Sequence, residues 1–182
     1  MKKNSLFLGL IGIACSILMI TGCIYDPPEP EIRPTDDMVI VTTAGGVSNA
    51  KVNEDGTVTA VLGFGKDEGV VIYLNSDKSE SSENSKVSYE FSYKTQTWND
   101  SSVKPKFYVR YGDSSSSFSN YDPSYSDKTN YEDASAASGE IKNSIVLKNS
   151  ADAIVFATNA YQWAGDSKDT VEITVKKISV VE

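Results

Sequence analysis

KVSYEFSYK, residues 86–94, alternates without a break. Val87, Tyr89, Phe91 and Tyr93 share one parity, and Ser88, Glu90, Ser92 and Lys94 share the other. A period of two is the period of a β-strand, whose successive side chains point to opposite faces. Four large apolar side chains set against four polar ones describe a strand with one face on a core and one in water. That is the signature of an antiparallel sheet. The neighbouring segments repeat it. KFYVRY (106–111) places Phe107, Val109 and Tyr111 opposite Tyr108 and Arg110. Upstream, Glu68–Leu74 is nearly all apolar, as expected of a strand buried on both faces. Thr57–Leu62 carries Val58, Ala60 and Leu62 in phase, and a short arm near Lys51-Val52 precedes it across Asp55-Gly56, a two-residue turn signal. Met38–Thr43 is a further β-branched run.

Three strands are expected to close the chain: Glu140–Leu147, Ala151–Thr158 and Thr170–Val181. In the last, Val171, Ile173 and Val175 are in phase, whereas Ile178 and Val180 are out of phase, so a β-bulge is expected near Lys176-Lys177. Between Gly112 and Gly139 lies a serine-rich stretch interrupted by Phe118, Tyr121, Tyr125 and Tyr131. It reads as one long loop, with room for a marginal helical turn at Asn130–Ala137. Eight or nine short strands with polar turns at regular spacing predict an all-β, antiparallel β-sandwich.

Composition narrows the chemistry. The 182 residues carry a net charge of −8 and no histidine. The absence of histidine removes the commonest general base and transition-metal ligand, and excludes Ser-His-Asp and Cys-His arrangements. An acidic chain without a basic tract is a poor partner for nucleic acid. A pair of carboxylates for glycoside hydrolysis is not marked out by any spacing, so the reading is non-catalytic.

The amino terminus has its own pattern. Lys2 and Lys3 precede an apolar run from Leu6 to Ile20, about 15 residues long, within the range of a secretory signal and short for a membrane span. It ends in Ile20-Thr21-Gly22-Cys23, which resembles the lipobox of bacterial lipoproteins. The resemblance implies a signal peptide over residues 1–22 and lipidation of Cys23, which becomes the first residue of the mature chain. Loss of residues 1–22 removes Cys15 and two lysines, so no internal disulfide remains possible and the rest is more acidic still. Residues 23–37 hold four of the six prolines, at 27, 28, 30 and 34. They read as an extended tether about 40 Å long ahead of a domain spanning 38–182. Membrane contact is expected through the lipid alone. Ile24, where an aspartate would favour inner-membrane retention in the family, points to an outer membrane or cell surface if the source has an outer membrane.

The residues singled out for binding are aromatic and out of phase or in loops. Trp98, Trp163, Tyr108 and Tyr161 can stack on the apolar face of a sugar ring, with Arg110 and Gln162 to hold its hydroxyls. Tyr121, Tyr125 and Tyr131 are further aromatics of this kind. From Gly56 to Glu182 the chain resembles the jelly-roll carbohydrate-binding modules: one short all-β domain whose closing strands, ADAIVFATNAYQWAGDSKDTVEITVKKISVV, bracket a loop with aromatics. The resemblance implies a glycan or polysaccharide partner, and no cofactor other than a structural calcium. Asp166 and Asp169 are candidate ligands for that calcium, with Asp113, Asp122, Asp127 and Asp133 as more distant carboxylates. The alternatives are a surface adhesin or assembly protein that binds a protein through the 112–139 stretch, and a structural lipoprotein with no small ligand.

Overall fold

The computed structural model describes residues 31–43, 50–63, 68–97, 104–112, 128–158 and 169–181. These segments form eleven strands in two antiparallel sheets. One sheet is built from β3 (Ala50–Val52), β4 (Val58–Gly63), β11 (Thr170–Val181), β6 (Lys86–Thr97) and β9 (Ser138–Val146), in that order, with β1 (Glu31–Ile32) also paired to β11. The other runs β2 (Val39–Thr43), β5 (Glu68–Tyr73), β10 (Ala153–Thr158), β7 (Lys106–Gly112) and β8 (Thr129–Asp133). The β-sandwich expected from the alternation is the observed architecture.

Its core is the apolar parity read above. Val87, Tyr89, Phe91 and Tyr93 of β6 are all buried between the sheets. They meet Phe107, Val109 and Tyr111 of β7 and Ile154 and Phe156 of β10. The rings interlock edge to face: Phe91 lies 5.4 Å from Phe107 at 81° and 5.6 Å from Phe156 at 70°, and Tyr89 lies 5.8 Å from Phe156 at 86°. This is the favoured geometry for π-systems with a negative face and positive edge. The expected bulge is present, with the β11–β6 register shifting between Val175 and Lys177. It returns Ile178 to the core after Val175 has pointed there.

Three details depart from expectation. First, the Asp55-Gly56 turn is not a two-residue loop. Asn53 and Thr57 pair across it, and Gly56 sits at φ +83°. This is a three-residue connection closed by a left-handed residue, which glycine adopts without steric cost. Second, residues 129–133 form a strand rather than loop or helical turn. Polar residues on both parities hid it. Third, the segment expected to be tether already joins the fold. Glu31 pairs with Ser179 and Ile32 with Ile178, Pro34 is buried, and a 3-10 turn at Asp36–Met38 leads into β2. A proline can flank an edge strand because it need not donate there.

Candidate functional site

A sandwich has two outer faces, and here they differ in kind. On the six-stranded sheet the outer face is ordinary. Lys142 bridges Glu90 and Glu140 at 3.0 Å each, Lys176 reaches Glu140 at 3.1 Å, and Gln96 donates to Glu172 at 2.8 Å. A hydrogen bond shared with the Glu90 carboxyl, then the Lys142 and Lys176 ammonium groups, hold Glu140 down at about 2. A hollow of about 180 Å³ lies here, lined by Ser88, Glu90, Lys142, Asn143, Lys177 and Ser179. Its Glu90 and Lys142 neutralise each other, and the Tyr89 ring turns away from it into the core. It offers little surface on which a flat ligand could stack.

The five-stranded sheet is apolar on both sides. Val70, Ile72, Val109 and Ile154 face the core, and the residues between them form a second buried cluster of Val71, Tyr108, Ala153, Val155 and Ala157, with Tyr73 packed against it. The register arranges this outer face in rows. One row runs Gly69, Ala157, Tyr108, Tyr131, and the next runs Val71, Val155, Arg110, Thr129. Small residues thus occupy the middle strands, with tyrosines at the β7–β8 side. Gly69 is needed for this close approach, because a Cβ there would come within 2.8 Å of the Ala157 Cβ and 2.9 Å of the Phe156 carbonyl oxygen. Arg110 is 2% exposed with its guanidinium carbon 6.0 Å from the Tyr108 ring centroid, and Lys78 holds its ammonium 4.9 Å above the Tyr73 ring. Such cation–ring contacts stabilise a desolvated guanidinium. Beyond them, Lys106 bridges Asp133 at 3.2 Å.

Tyr131 is the exposed ring of this face, at 45%. Its orientation is set from the inside of the sandwich. The two flanking residues, Asn130 and Glu132, turn inward. The Tyr89 hydroxyl donates to Glu132 Oε1 at 2.6 Å, and Asn130 Nδ2 donates to the Tyr89 oxygen at 2.8 Å and to the Ser144 carbonyl at 3.0 Å. Asn143 Nδ2 also donates to Glu132 Oε1, at 2.8 Å. This network ties β8 of one sheet to β6 and β9 of the other. Since strand parity alternates, fixing 130 and 132 inward leaves 131 facing out. Burial, then the hydrogen bond to Glu132, push the Tyr89 hydroxyl well above the ordinary phenol range.

Of the residues expected to bind, Tyr108 and Arg110 lie side by side on this face. Neither is the exposed group the alternation suggested: they are 1% and 2% exposed. A strand in the middle of a sheet that is covered on both sides buries both parities. Glu90, on the polar parity of β6, is on the other sheet. Trp98, Tyr161, Gln162 and Trp163 lie outside the described residues, as do Cys23, Tyr121, Tyr125 and Asp166. The strand ends that bracket the two tryptophan segments do meet: Thr170 pairs with Thr97 and Gly63, Thr158 pairs with Phe107, and the Thr158 hydroxyl donates to the Gly63 carbonyl at 2.7 Å. Asp169 is buried just before β11, and among the described residues no three acidic side chains converge on a common point. Tyr73 and Lys78 were missed. Tyr73 lies inside a nearly all-apolar run and reads as core.

No family model and no curated protein matches this sequence. Solved structures of similar fold include a CBM4 carbohydrate-binding module, 7% identical over 80% of this chain and 94% of that one, with a TM-score of 0.45. Another is the CBM22-1 xylan-binding domain from Paenibacillus barcinonensis Xyn10C, 14% identical over 82% of this chain and 89% of that one, with a TM-score of 0.45. A third is a cyclase from Fischerella sp. in its apo form, 10% identical over 86% and 91%, with a TM-score of 0.34. Binding modules and a cyclase stand together here, and a shared architecture does not assign a function.

Proposed function

We propose that this chain is a non-catalytic, carbohydrate-binding module that works outside the cytoplasm, held to a membrane by lipid on Cys23. The observation that supports the binding reading is the contrast between the two outer faces. A sheet face turned away from the core is ordinarily polar, as on the six-stranded sheet. The five-stranded sheet instead carries a buried cluster of apolar residues, Tyr108 and Arg110 there, with the Tyr131 ring exposed beside it on β8. A sugar has the matching chemistry, with C–H groups on its flat faces and hydroxyls around its rim. In this reading Tyr131 makes the first stacking contact. Tyr108, its cross-strand neighbour, backs it, and Thr129 and the Lys106–Asp133 pair supply hydrogen bonds. Trp98 and Trp163 are the further stacking residues that this reading tests.

The test is a polysaccharide pull-down and glycan array with the soluble chain from Ile24, with and without calcium. Tyr131→Ala removes an exposed ring without opening the core, so melting should not change. Affinity should fall roughly tenfold, about 1.4 kcal/mol. Trp98→Ala and Trp163→Ala run in parallel. A well-folded protein that retains no glycan in either condition, or glycan binding indifferent to all three substitutions, would overturn the reading. Anchoring is read separately, by whether Cys23→Ala moves the protein from the membrane to the soluble fraction.

A further inference from the structure

The segment that joins the anchor to the sandwich is shorter than its sequence suggests, and it leaves from one end. Glu31 pairs with Ser179, two residues short of the end of β11, and β1 runs antiparallel to β11. Glu31 therefore enters the fold at the end of β11 that carries Val180 and Val181. Eight steps of chain separate Cys23 from Glu31, and Pro27, Pro28 and Pro30 lie among them. Even fully extended, eight steps span at most about 29 Å. Along β11, Ser179 stands about 30 Å from Thr170, at the opposite end of the sandwich. A tether of that length cannot lift one end high enough to set the other end on the lipid surface. A free tether from Cys23 to Asp37 would have allowed it.

We infer that the end of the sandwich carrying Val146 and Val181 faces the lipid surface, and that Gly63, Thr97, Ser138 and Thr170 mark the end facing away. The inference rests on the anchoring reading above. Two observations fit a lipid headgroup region as the partner of the near end. Val146 and Val181 are 52% and 38% exposed, two of the three large apolar side chains exposed among the described residues. Both flank Lys86 in a single cross-strand row, Val146–Lys86–Val181. Apolar side chains beside a lysine stem suit the boundary between headgroups and acyl chains. Further from this end the same outer face is a ladder of acids and lysines already paired with each other, on a chain of net charge −8. The strand ends that bracket Trp98 and Trp163 then point toward the surroundings, where a polymeric ligand would be met.

The experiment uses the lipidated protein, made with its own leader and placed in phosphatidylcholine vesicles that contain a headgroup-quencher lipid. A fluorophore is attached at Val146→Cys or Ser138→Cys, positions at the two ends of β9 and about 27 Å apart. Quenching should be several-fold stronger at 146 than at 138. In Ile32→Pro, which breaks the β1 pairing, that contrast should collapse. Equal quenching at both positions, or stronger quenching at 138, overturns the inference, and a contrast unchanged by Ile32→Pro overturns the role of β1. The protein without an added cysteine separates this from failure of anchoring. If it takes up the thiol label at Cys23 and does not stay with vesicles, the anchoring reading falls, and the inference falls with it.

Discussion

The hydroxyl of Tyr89 should be worth far more than its single atom. It lies between the sheets, in a residue 3% exposed, and it makes two of the bonds that hold β8 to the other sheet. Tyr89→Phe keeps the ring and its edge-to-face contact with Phe156 and removes only these bonds. The bond to the Glu132 carboxylate, at 2.6 Å, is charge-assisted, and such bonds contribute about 1.5–3 kcal/mol. Neither former partner is orphaned: Glu132 still accepts from Asn143, and Asn130 still donates to the Ser144 carbonyl. The loss should therefore fall near the middle of that range, about 2 kcal/mol. For a domain of this size it lowers the melting temperature by about 4–8 °C. Urea unfolding followed by circular dichroism measures the loss directly. A second signature appears at alkaline pH. The folded-state Tyr89 hydroxyl titrates above its unfolded value of 10.0. Its contribution is complete below that value and is lost as pH rises beyond it. Wild type should lose stability above pH 10 more steeply than Tyr89→Phe, in which that contribution is already gone. A change below about 0.5 kcal/mol at pH 7, or parallel alkaline limbs, would refute the claim that this network closes the sandwich on the β8 side. Because Asn130 and Glu132 aim Tyr131 outward, the same substitution should also weaken any ligand that depends on that ring.

Two further expectations concern the faces. Gly69→Ala should destabilise by about 1–3 kcal/mol in thermal unfolding, since one of the three atoms its methyl group meets is a backbone oxygen that cannot swing aside; a neutral result would show that the β5–β10 approach is looser than described. Carboxyl titration followed by NMR should find Glu140 near 2, and Lys142→Ala should raise it. This folded pKa lies below the unfolded 4.5, so the favourable contribution is present above that value and fades as pH falls toward 2. The group is fully solvated, so thermal scans between pH 5 and 2 should show only a small share of the acid instability arising there.

Lys86–Lys94 was readable because a half-buried strand writes its environment directly into residue parity. The same holds for β4, β7 and the phase slip in β11, where an extra residue changes parity and nothing but a bulge restores it. β8 was not readable. Thr, Asn, Tyr, Glu and Asp are polar or amphipathic on both parities, and the groups that make Asn130 and Glu132 inward-facing lie on β6 and β9, at least eleven residues away. Tyr108 and Arg110 were found as an out-of-phase pair, but their exposure was misjudged. Parity says that two faces differ, not that either is wet. β1 was hidden by its prolines: a two-residue edge pairing leaves no period to detect.

Some properties of this chain are local, and the amino-acid sequence by itself determined them. They are the all-β class, the core parity, the bulge, the acidic balance, and the lipobox expected to tie the chain to a membrane. Each depends on a residue and its near neighbours in the chain. What the tertiary structure alone decided is non-local. It chose which of two outer faces is apolar, placed Tyr131 on it through a hydroxyl 42 residues earlier in the chain, and shortened the tether by pairing Glu31 with Ser179. Pairings between distant segments are set by the register of strands against each other and by which buried polar groups can satisfy one another. No window along the chain contains that information.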